Sequence, residues 1–396
     1  MGSLYDAVFA KSVELVEKNV VPDFIVRRGI RYLLAKRLEE CSHGGDVDKQ
    51  IAAKQEFVEE LKSLPVAINT ADANEQHYEL PTEYFLAVLG PQLKYSSGYY
   101  PGLDPSTQLD IAEEAMLQMC CDRAELKNGM DILELGCGWG SLTLFMAESF
   151  PSATITAVSN SRTQREFIEG RAIERGLTNV KIITDDVTHF EPPASDGGYD
   201  RVVSVEMFEH MKNYRELLGR ISKWLRPGGK LFVHMFTHKD FNYHFEDNGP
   251  DDWMTRYFFS GGTMASHDLL LHFQQHLTCA KHWRVNGRHY AWTLEDWLRR
   301  QDQVQSSVLD IFAKTYGEEN ALKWMVRWRL FYMACAELFK YDNGNQWGVS
   351  HYLFENIPRA AEKAAEASAR RAATRNPAAR GGRRTSTGGG SERVVL

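Results

Sequence analysis

The segment Glu134-Leu135-Gly136-Cys137-Gly138-Trp139-Gly140 constrains this chain more than any other stretch. It follows an apolar, β-branched run at Asp131–Leu135 and opens a helical stretch at Ser141–Glu148. Glycines at such a junction let the chain turn sharply. They also let backbone approach a ligand with no Cβ between them. The spacing is G-x-G-x-G, which differs from the G-x-G-x-x-G of dinucleotide sites.

The alternation continues beyond the loop. Strands are expected at Thr154–Val158, Val180–Ile183, Arg201–Val205 and Lys230–Phe236, and helices at Thr163–Arg175 and Tyr214–Trp224. Strands alternating with helices predict a parallel sheet with helices on both faces. Pro227-Gly228-Gly229 ends the last of these helices and turns the chain into the next strand.

The flanking regions differ. From Leu4 to about Leu64 apolar residues recur at helical spacing, as in Val13, Leu15 and Val16 and in Phe57, Val58 and Leu61, with a break at Gly44-Gly45. From Phe241 to Pro358 the chain is rich in aromatics, including Trp253, Trp283, Trp292, Trp297, Trp324, Trp328 and Trp347, and helical patterns dominate. An ordinary aromatic core is the plain reading of these rings. A pocket for an aromatic or apolar substrate is the functional one. From Arg359 the composition turns to Ala, Arg, Gly, Ser and Thr, which cannot bury a core. The expected organisation is a helical entry region or cap over 1–90, a Rossmann-like domain over 91–358 with its substrate part from about 241, and a disordered basic tail over 359–396.

Composition excludes several classes. The 396 residues carry a formal net charge of -7 and are 43% hydrophobic, which suits a soluble globular protein, and cysteines without a disulfide framework fit a reducing, cytoplasmic setting. A mildly acidic chain gives no reason to expect nucleic acid. No run of about 20 apolar residues is present, so no membrane span is expected. Gly2 is followed by Asp6 where a myristoylation signal wants Ser or Thr. Cys41, Cys120, Cys121, Cys137, Cys279 and Cys335 are scattered with no C-x-x-C pair, so no metal site or disulfide framework is expected.

Glu134 stands two positions before the first glycine. This combination resembles the first motif of Rossmann-like methyltransferases, whose ligand is S-adenosylmethionine. Its ammonium and carboxylate need mixed polar partners rather than a phosphate cradle. The second strand ends at Val158-Ser159-Asn160-Ser161, with Gln164 opening the next helix. Hydroxyl and amide groups there can hydrogen-bond the ribose diol that an acidic residue holds in many relatives. The third strand ends at Asp185-Asp186-Val187, where a carboxylate, Asp186 in preference to Asp185, can accept from the adenine amino group while Val187 packs on the ring. A turn or helix cap is the alternative role for both aspartates.

The match then narrows. Leu93-Lys94-Tyr95-Ser96-Ser97-Gly98-Tyr99-Tyr100, Val205-Glu206-Met207-Phe208-Glu209-His210-Met211, His244-Phe245-Glu246-Asp247, Asp251-Asp252-Trp253-Met254-Thr255-Arg256-Tyr257-Phe258-Phe259 and Met333-Ala334-Cys335-Ala336-Glu337-Leu338-Phe339 follow one another in order. Together they resemble coclaurine N-methyltransferase and its plant and algal relatives, a group itself similar to the cyclopropane fatty acid synthases. The resemblance spans about Leu4 to Pro358. It implies that Tyr95 and Ser96 close over the methionine end of the cofactor. Gly136, Gly138, Asn160, Gln164, Asp186 and Val187 then line the rest of the site. Glu206, Glu209 and His210 face a small-molecule amine and assist catalysis. In cyclopropane synthases Glu209, His234 and Tyr290 match positions that hold a bicarbonate base together with a cysteine. Ser97 occupies that cysteine position here, which speaks against lipid cyclopropanation. Cys335 matches a cysteine sometimes labelled nucleophilic, and packing is its expected role. The relatives also suggest a homodimer.

Methyl transfer to an amine needs a free nitrogen lone pair, and hence a base. Glu206 and Glu209 are three apart, so both face one pocket if the turn that carries them is helical. Close carboxylates push one pKa upward, towards a useful proton acceptor. Glu209 is the favoured residue, with His234 and Tyr290 in support. Capping of a helix beginning near Met211 is the alternative for Glu209 and His210. Two other functions stand against the amine N-methyltransferase: modification of unsaturated acyl chains in phospholipids, and cofactor binding without turnover.

Overall fold

Apolar β-branched runs between polar turns set the framework. The structure, a computed structural model, describes residues 2–68, 80–193, 195, 197–249 and 251–357. Five parallel strands, β1 (Asp131–Leu135), β2 (Thr154–Ser159), β3 (Val180–Thr184), β4 (Tyr199–Val205) and β5 (Leu225–His238), lie in the order 3-2-1-4-5. The five strands expected from the sequence are all present. The reversal of strand order falls between β1 and β4, with Leu135 beside Val158 on one side and Ser204 on the other. Open α/β sheets bind ligands at the carboxyl edge of such a switch point.

Side chains alternate between two buried faces. Ile132, Ile155, Val203 and Phe232 enter one core, while Leu133, Val158, Val202 and Leu231 enter the other. A sheet covered on both sides explains why its strands read as near-continuous apolar runs.

Helices α1 (Gly2–Glu17), α2 (Asp23–Ser42) and α3 (Val47–Ser63) form the entry region, with the break at His43–Gly45. Helices α4 (Thr82–Val88) and α5 (Leu109–Arg123) lead into β1. Between the strands run α6 (Ser141–Ser149), α7 (Arg162–Glu174) and α8 (Tyr214–Trp224). After β5 come α9 (Trp253–Tyr257), α10 (Arg288–Gln303), α11 (Gln305–Tyr316) and α12 (Glu318–Gly344).

One expectation needs correction. The region after Phe241 is not simply helical, because it holds four further strands. β6 (Tyr243–His244) and β7 (Thr263–Ser266) form a hairpin at the end of β5. β9 (Trp347–Glu355) runs antiparallel to β5 from Lys230 to His238, and β8 (Thr278–Asn286) runs antiparallel to β9. β9 is buried along Trp347–Phe354 and carries Ser350 and His351 inside, so it shows no period-two signal. β8 alternates weakly because it forms an outer strand. The tail expected from Arg359 lies outside the described residues.

Candidate active site

The carboxyl edge of β1–β4 opens into a narrow cleft of about 140 Å³. Gly136 has φ +78, and a Cβ there would sit 2.9 Å from the Met207 side chain. Gly138 has φ +51 and open space where a Cβ would be, so ligand can reach the backbone. Tyr95, Ser96, Glu134, Gly136, Gly138, Asn160, Gln164, Asp186 and Val187 all line this cleft. The sequence placed them in four separate segments, and the fold brings them together.

Several polar groups in the cleft are held by the protein itself. Glu134 Oε2 accepts from Thr143 Oγ1 at 2.5 Å, and burial pushes its pKa up to about 7. Ser159 Oγ donates to Gln164 Oε1 at 2.7 Å. The Gln164 Nε2 donor and the Ser141 hydroxyl are then buried without a partner among the described residues. Such donors fit a ligand rich in acceptors. Asp186 Oδ1 accepts from Thr188 N at 2.8 Å and from its hydroxyl at 2.7 Å, closing a turn. Asp185 Oδ1 accepts from Asp186 N. Both aspartates line the cleft and both also shape the loop.

A second, wider cavity of about 620 Å³ lies beside the first. Its wall comes from α1 and α2, from the segment around α9, and from α10 and α12, as with Val13, Ile30, Phe245, Leu294 and Phe331. Of the seven tryptophans named above, Trp253 and Trp297 line it. Trp328 and Trp347 are core residues, 1% and 0% exposed. Cys335 is half-buried on α12 and lines this cavity. Burial pushes its thiol pKa up to about 12, which keeps it out of nucleophilic chemistry.

Tyr95, Glu206 and His210 line both cavities. Glu206 follows β4 with φ +49, a left-handed conformation that costs energy in a non-glycine residue and tends to mark functional sites. Its backbone N–H donates to His234 O at 2.8 Å. Tyr290 donates to Oε2 at 2.6 Å, and His234 Nε2 lies 3.2 Å from Oε1. Burial pushes the Glu206 pKa up to about 7; the Tyr290 hydrogen bond and nearby Lys94 oppose that rise. Burial lowers His210 to about 4, so its ring is neutral. Tyr290 stacks on Phe339 at 4.3 Å, which fixes its hydroxyl.

Glu209 departs from expectation. It is fully buried and lines neither cavity. Its Oε1 accepts from Phe236 N on β5 at 2.7 Å. Burial, and then repulsion from Glu206, push its pKa well above the usual carboxylate range. The two carboxylates do not share a pocket. Glu206 lies before the short turn Phe208–His210, and the turn sends Glu209 behind it. Helix capping fails as well: Asn213 caps α8, accepting from Glu216 N at 3.0 Å. His234 lies behind Glu206 and lines neither cavity, while Tyr290 lines the wide one.

Sequence reasoning missed three neighbours. Lys94 is buried, lines the cleft and donates to Ser96 Oγ. It lies inside the block that carried the resemblance, which was its only signal. Arg123 and His351 stand behind His234. Neither belongs to a motif, and only the pairing of β9 with β5 brings His351 there.

The family model described as mycolic acid cyclopropane synthetase matches residues 67–348. (S)-Coclaurine N-methyltransferase of Thalictrum flavum subsp. glaucum is 37% identical over 88% of this chain and 96% of its own length. A crystal structure of coclaurine N-methyltransferase bound to N-methylheliamine and SAH superposes with a TM-score of 0.82 at 36% identity, covering 87% of this chain and 98% of that one. Cyclopropane-fatty-acyl-phospholipid synthase of Escherichia coli (strain K12) is more distant, at 28% identity over 69% of this chain and 66% of its own length.

Proposed function

The chain belongs to the mycolic acid cyclopropane synthetase family, on the branch of the coclaurine N-methyltransferases, and it is an S-adenosylmethionine-dependent amine N-methyltransferase; from that premise we propose that its acceptor is an aryl-ethylamine or a tetrahydroisoquinoline. The meeting of a cleft that holds buried hydrogen-bonding groups and an apolar, aromatic-lined cavity at Tyr95, Glu206 and His210 carries this reading. A cavity of about 620 Å³ lies within the range of small-molecule sites. Its aromatic rings suit a flat, cationic amine better than a sugar or a phosphate.

Cofactor residues follow from the cleft. Glu134 would hold the ammonium of the methionine part, with Tyr95, Ser96 and the Gly136–Gly138 backbone around it. Asn160 and Gln164 would bond the ribose, and Asp186 and Val187 the adenine. S-adenosylmethionine supplies an electrophilic methyl group on its sulfonium. The chain must provide alignment, a dry site and removal of one proton. Alignment of donor and acceptor lowers a barrier by about 7–11 kcal/mol in favourable cases.

Glu206 is the residue placed to take the amine proton, because it alone of the two carboxylates reaches both cavities. An acid poised near 7 both attracts a cationic amine and accepts its proton. Tyr290 and His234 fix its orientation. Neutral His210 can hydrogen-bond the amine beside Glu206. Glu209 supports the geometry through Phe236 rather than touching the acceptor.

A cofactor-consumption screen over primary, secondary and tertiary aryl-alkyl amines, run beside phospholipid vesicles, tests this. Turnover on amines supports the reading. Turnover on vesicles alone would remove it in favour of acyl-chain modification. A cytoplasmic homodimer belongs to the same proposal. Phe24 and Tyr32 on α2, 71% and 65% exposed, offer apolar surface for a partner copy, and sedimentation would measure the mass.

A further inference from the structure

β9 brings His351 directly behind the proposed proton acceptor. His234 and His351 face one another across β5 and β9, and both side chains are buried. Three contacts run in line. Arg123 Nη1 lies 2.8 Å from His351 Nδ1. His351 Nε2 lies 2.9 Å from His234 Nδ1. His234 Nε2 lies 3.2 Å from Glu206 Oε1.

The direction of this chain follows from its far end. A guanidinium has donors and no acceptor, so His351 Nδ1 must accept. Burial, and then the positive charges of Arg123 and Lys94, keep both imidazoles neutral. A neutral imidazole that accepts at Nδ1 carries its proton on Nε2. His351 therefore donates to His234 Nδ1. His234 then carries its own proton on Nε2 and donates to Glu206. Cys120 Sγ, 3.9 Å from His234 Nδ1, is kept a thiol by burial and faces the same acceptor.

We propose that Arg123 is a positioning residue that sets the tautomers of His351 and His234 and so presents Glu206 with donors only, which favours its ionised, proton-accepting form. The proposal rests on the reading of Glu206 as the proton acceptor. Its other neighbours are compatible. Tyr290 donates to Oε2, and Lys94 adds positive charge. Neutral His210 can donate, while Glu209 opposes ionisation and Cys335 stays a thiol.

Two other uses of this cluster fail on the same geometry. Cys120, His234 and His351 have ligand atoms within 4.8 Å of one another, a spacing that could hold a metal ion. Yet a guanidinium already occupies His351 Nδ1, the two rings already bond each other, and Lys94 adds a second cation nearby. Proton export along the chain fails because Arg123 cannot accept a proton. The amine proton must leave through a cavity instead.

The test uses full-length protein labelled with ¹⁵N-histidine, in which ring nitrogen shifts report tautomers directly. His351→Phe and His234→Phe assign the two signals. Wild type should show both protons on Nε2. Arg123→Met should mix these tautomers and move the acid limb of kcat/KM up by about one pH unit, a tenfold loss below that limb. The KM for S-adenosylmethionine should stay unchanged. Arg123→Lys, which keeps a donor without an acceptor, should restore the wild-type limb. Wild-type His351 or His234 protonated on Nδ1 or on both nitrogens overturns the proposal, even if Arg123→Met does not fold. So does an Arg123→Met enzyme with unmoved tautomers and limb. A Glu206→Gln enzyme with unchanged turnover would strike the acceptor reading instead, leaving the tautomer result to stand or fall separately.

Discussion

The two cavities that meet at Glu206 are built in opposite ways. The cleft is narrow and richer in hydrogen-bonding groups, and most of its residues sit at the ends of β1 to β4, with Leu93–Ser96, Leu117 and Cys120 on α5, and Ser260-Gly261 completing it. The neighbouring cavity is wide and apolar, and its wall is gathered from Phe9 to Phe339. A cofactor common to many enzymes can be bound by a local loop grammar that the sheet presents. An acceptor that differs between enzymes is enclosed by helices added around that sheet, where side chains can vary without disturbing the switch point. The carboxylate between them must serve both.

The largest effect should come from that shared residue. Glu206→Gln is expected to lower kcat by about 10²–10⁴-fold, the usual contribution of a general base, with cofactor affinity nearly unchanged by calorimetry. The same variant should raise Tm at pH 8. The folded-state pKa is raised to about 7, so the stability contribution of this group is complete at low pH and lost as pH rises through 7; glutamine suffers no such loss.

Gly138→Val should act on the cleft and on its loop, where φ +51 also strains a β-branched residue, and not on the wide cavity. Side-chain volume in space now open to ligand costs about 1–3 kcal/mol, hence roughly 5- to 150-fold in cofactor affinity. The acceptor KM at saturating cofactor should hold. If it rose equally, the two cavities would not be separable.

The pH profile sharpens the role of the junction. Glu206 must lose its proton to accept another, so kcat/KM should climb through about pH 7 from the acid side and fall about tenfold per unit below it. A flat profile from pH 5 to 8 would move the proton acceptor elsewhere.

Narrowing the wide cavity should alter choice more than chemistry. Leu338→Trp is expected to discriminate between bulky and small amines by about tenfold in kcat/KM, within the usual range for steric selection in an apolar pocket. Cofactor affinity should not change. Smallest of all, Cys335→Ser should keep turnover within about twofold, since a thiol held protonated is no nucleophile. A complete loss would restore a covalent role.

The amino-acid sequence by itself determined the sheet from β1 to β5, the glycine loop and the nine cofactor-cleft residues. Most depend on local rules: strand–helix alternation, φ freedom at glycine, and fixed offsets from strand ends; Tyr95 and Ser96 rested on the family resemblance alone. It also placed Glu206 and His210 at the correct edge. Which of Glu206 and Glu209 meets both cavities was decided only by the tertiary structure. Spacing of three suggests a shared face, yet the positive φ at Glu206 and the hydrogen bond from Phe236 send the two side chains apart. The acceptor cavity and the Arg123–His351–His234 chain lay equally beyond local reading. Their parts are separated by up to hundreds of residues, and β9, buried on both faces, carries no periodicity to announce its place beside β5. Local sequence fixes backbone geometry over a few residues, whereas the meeting of distant side chains depends on packing the whole sheet.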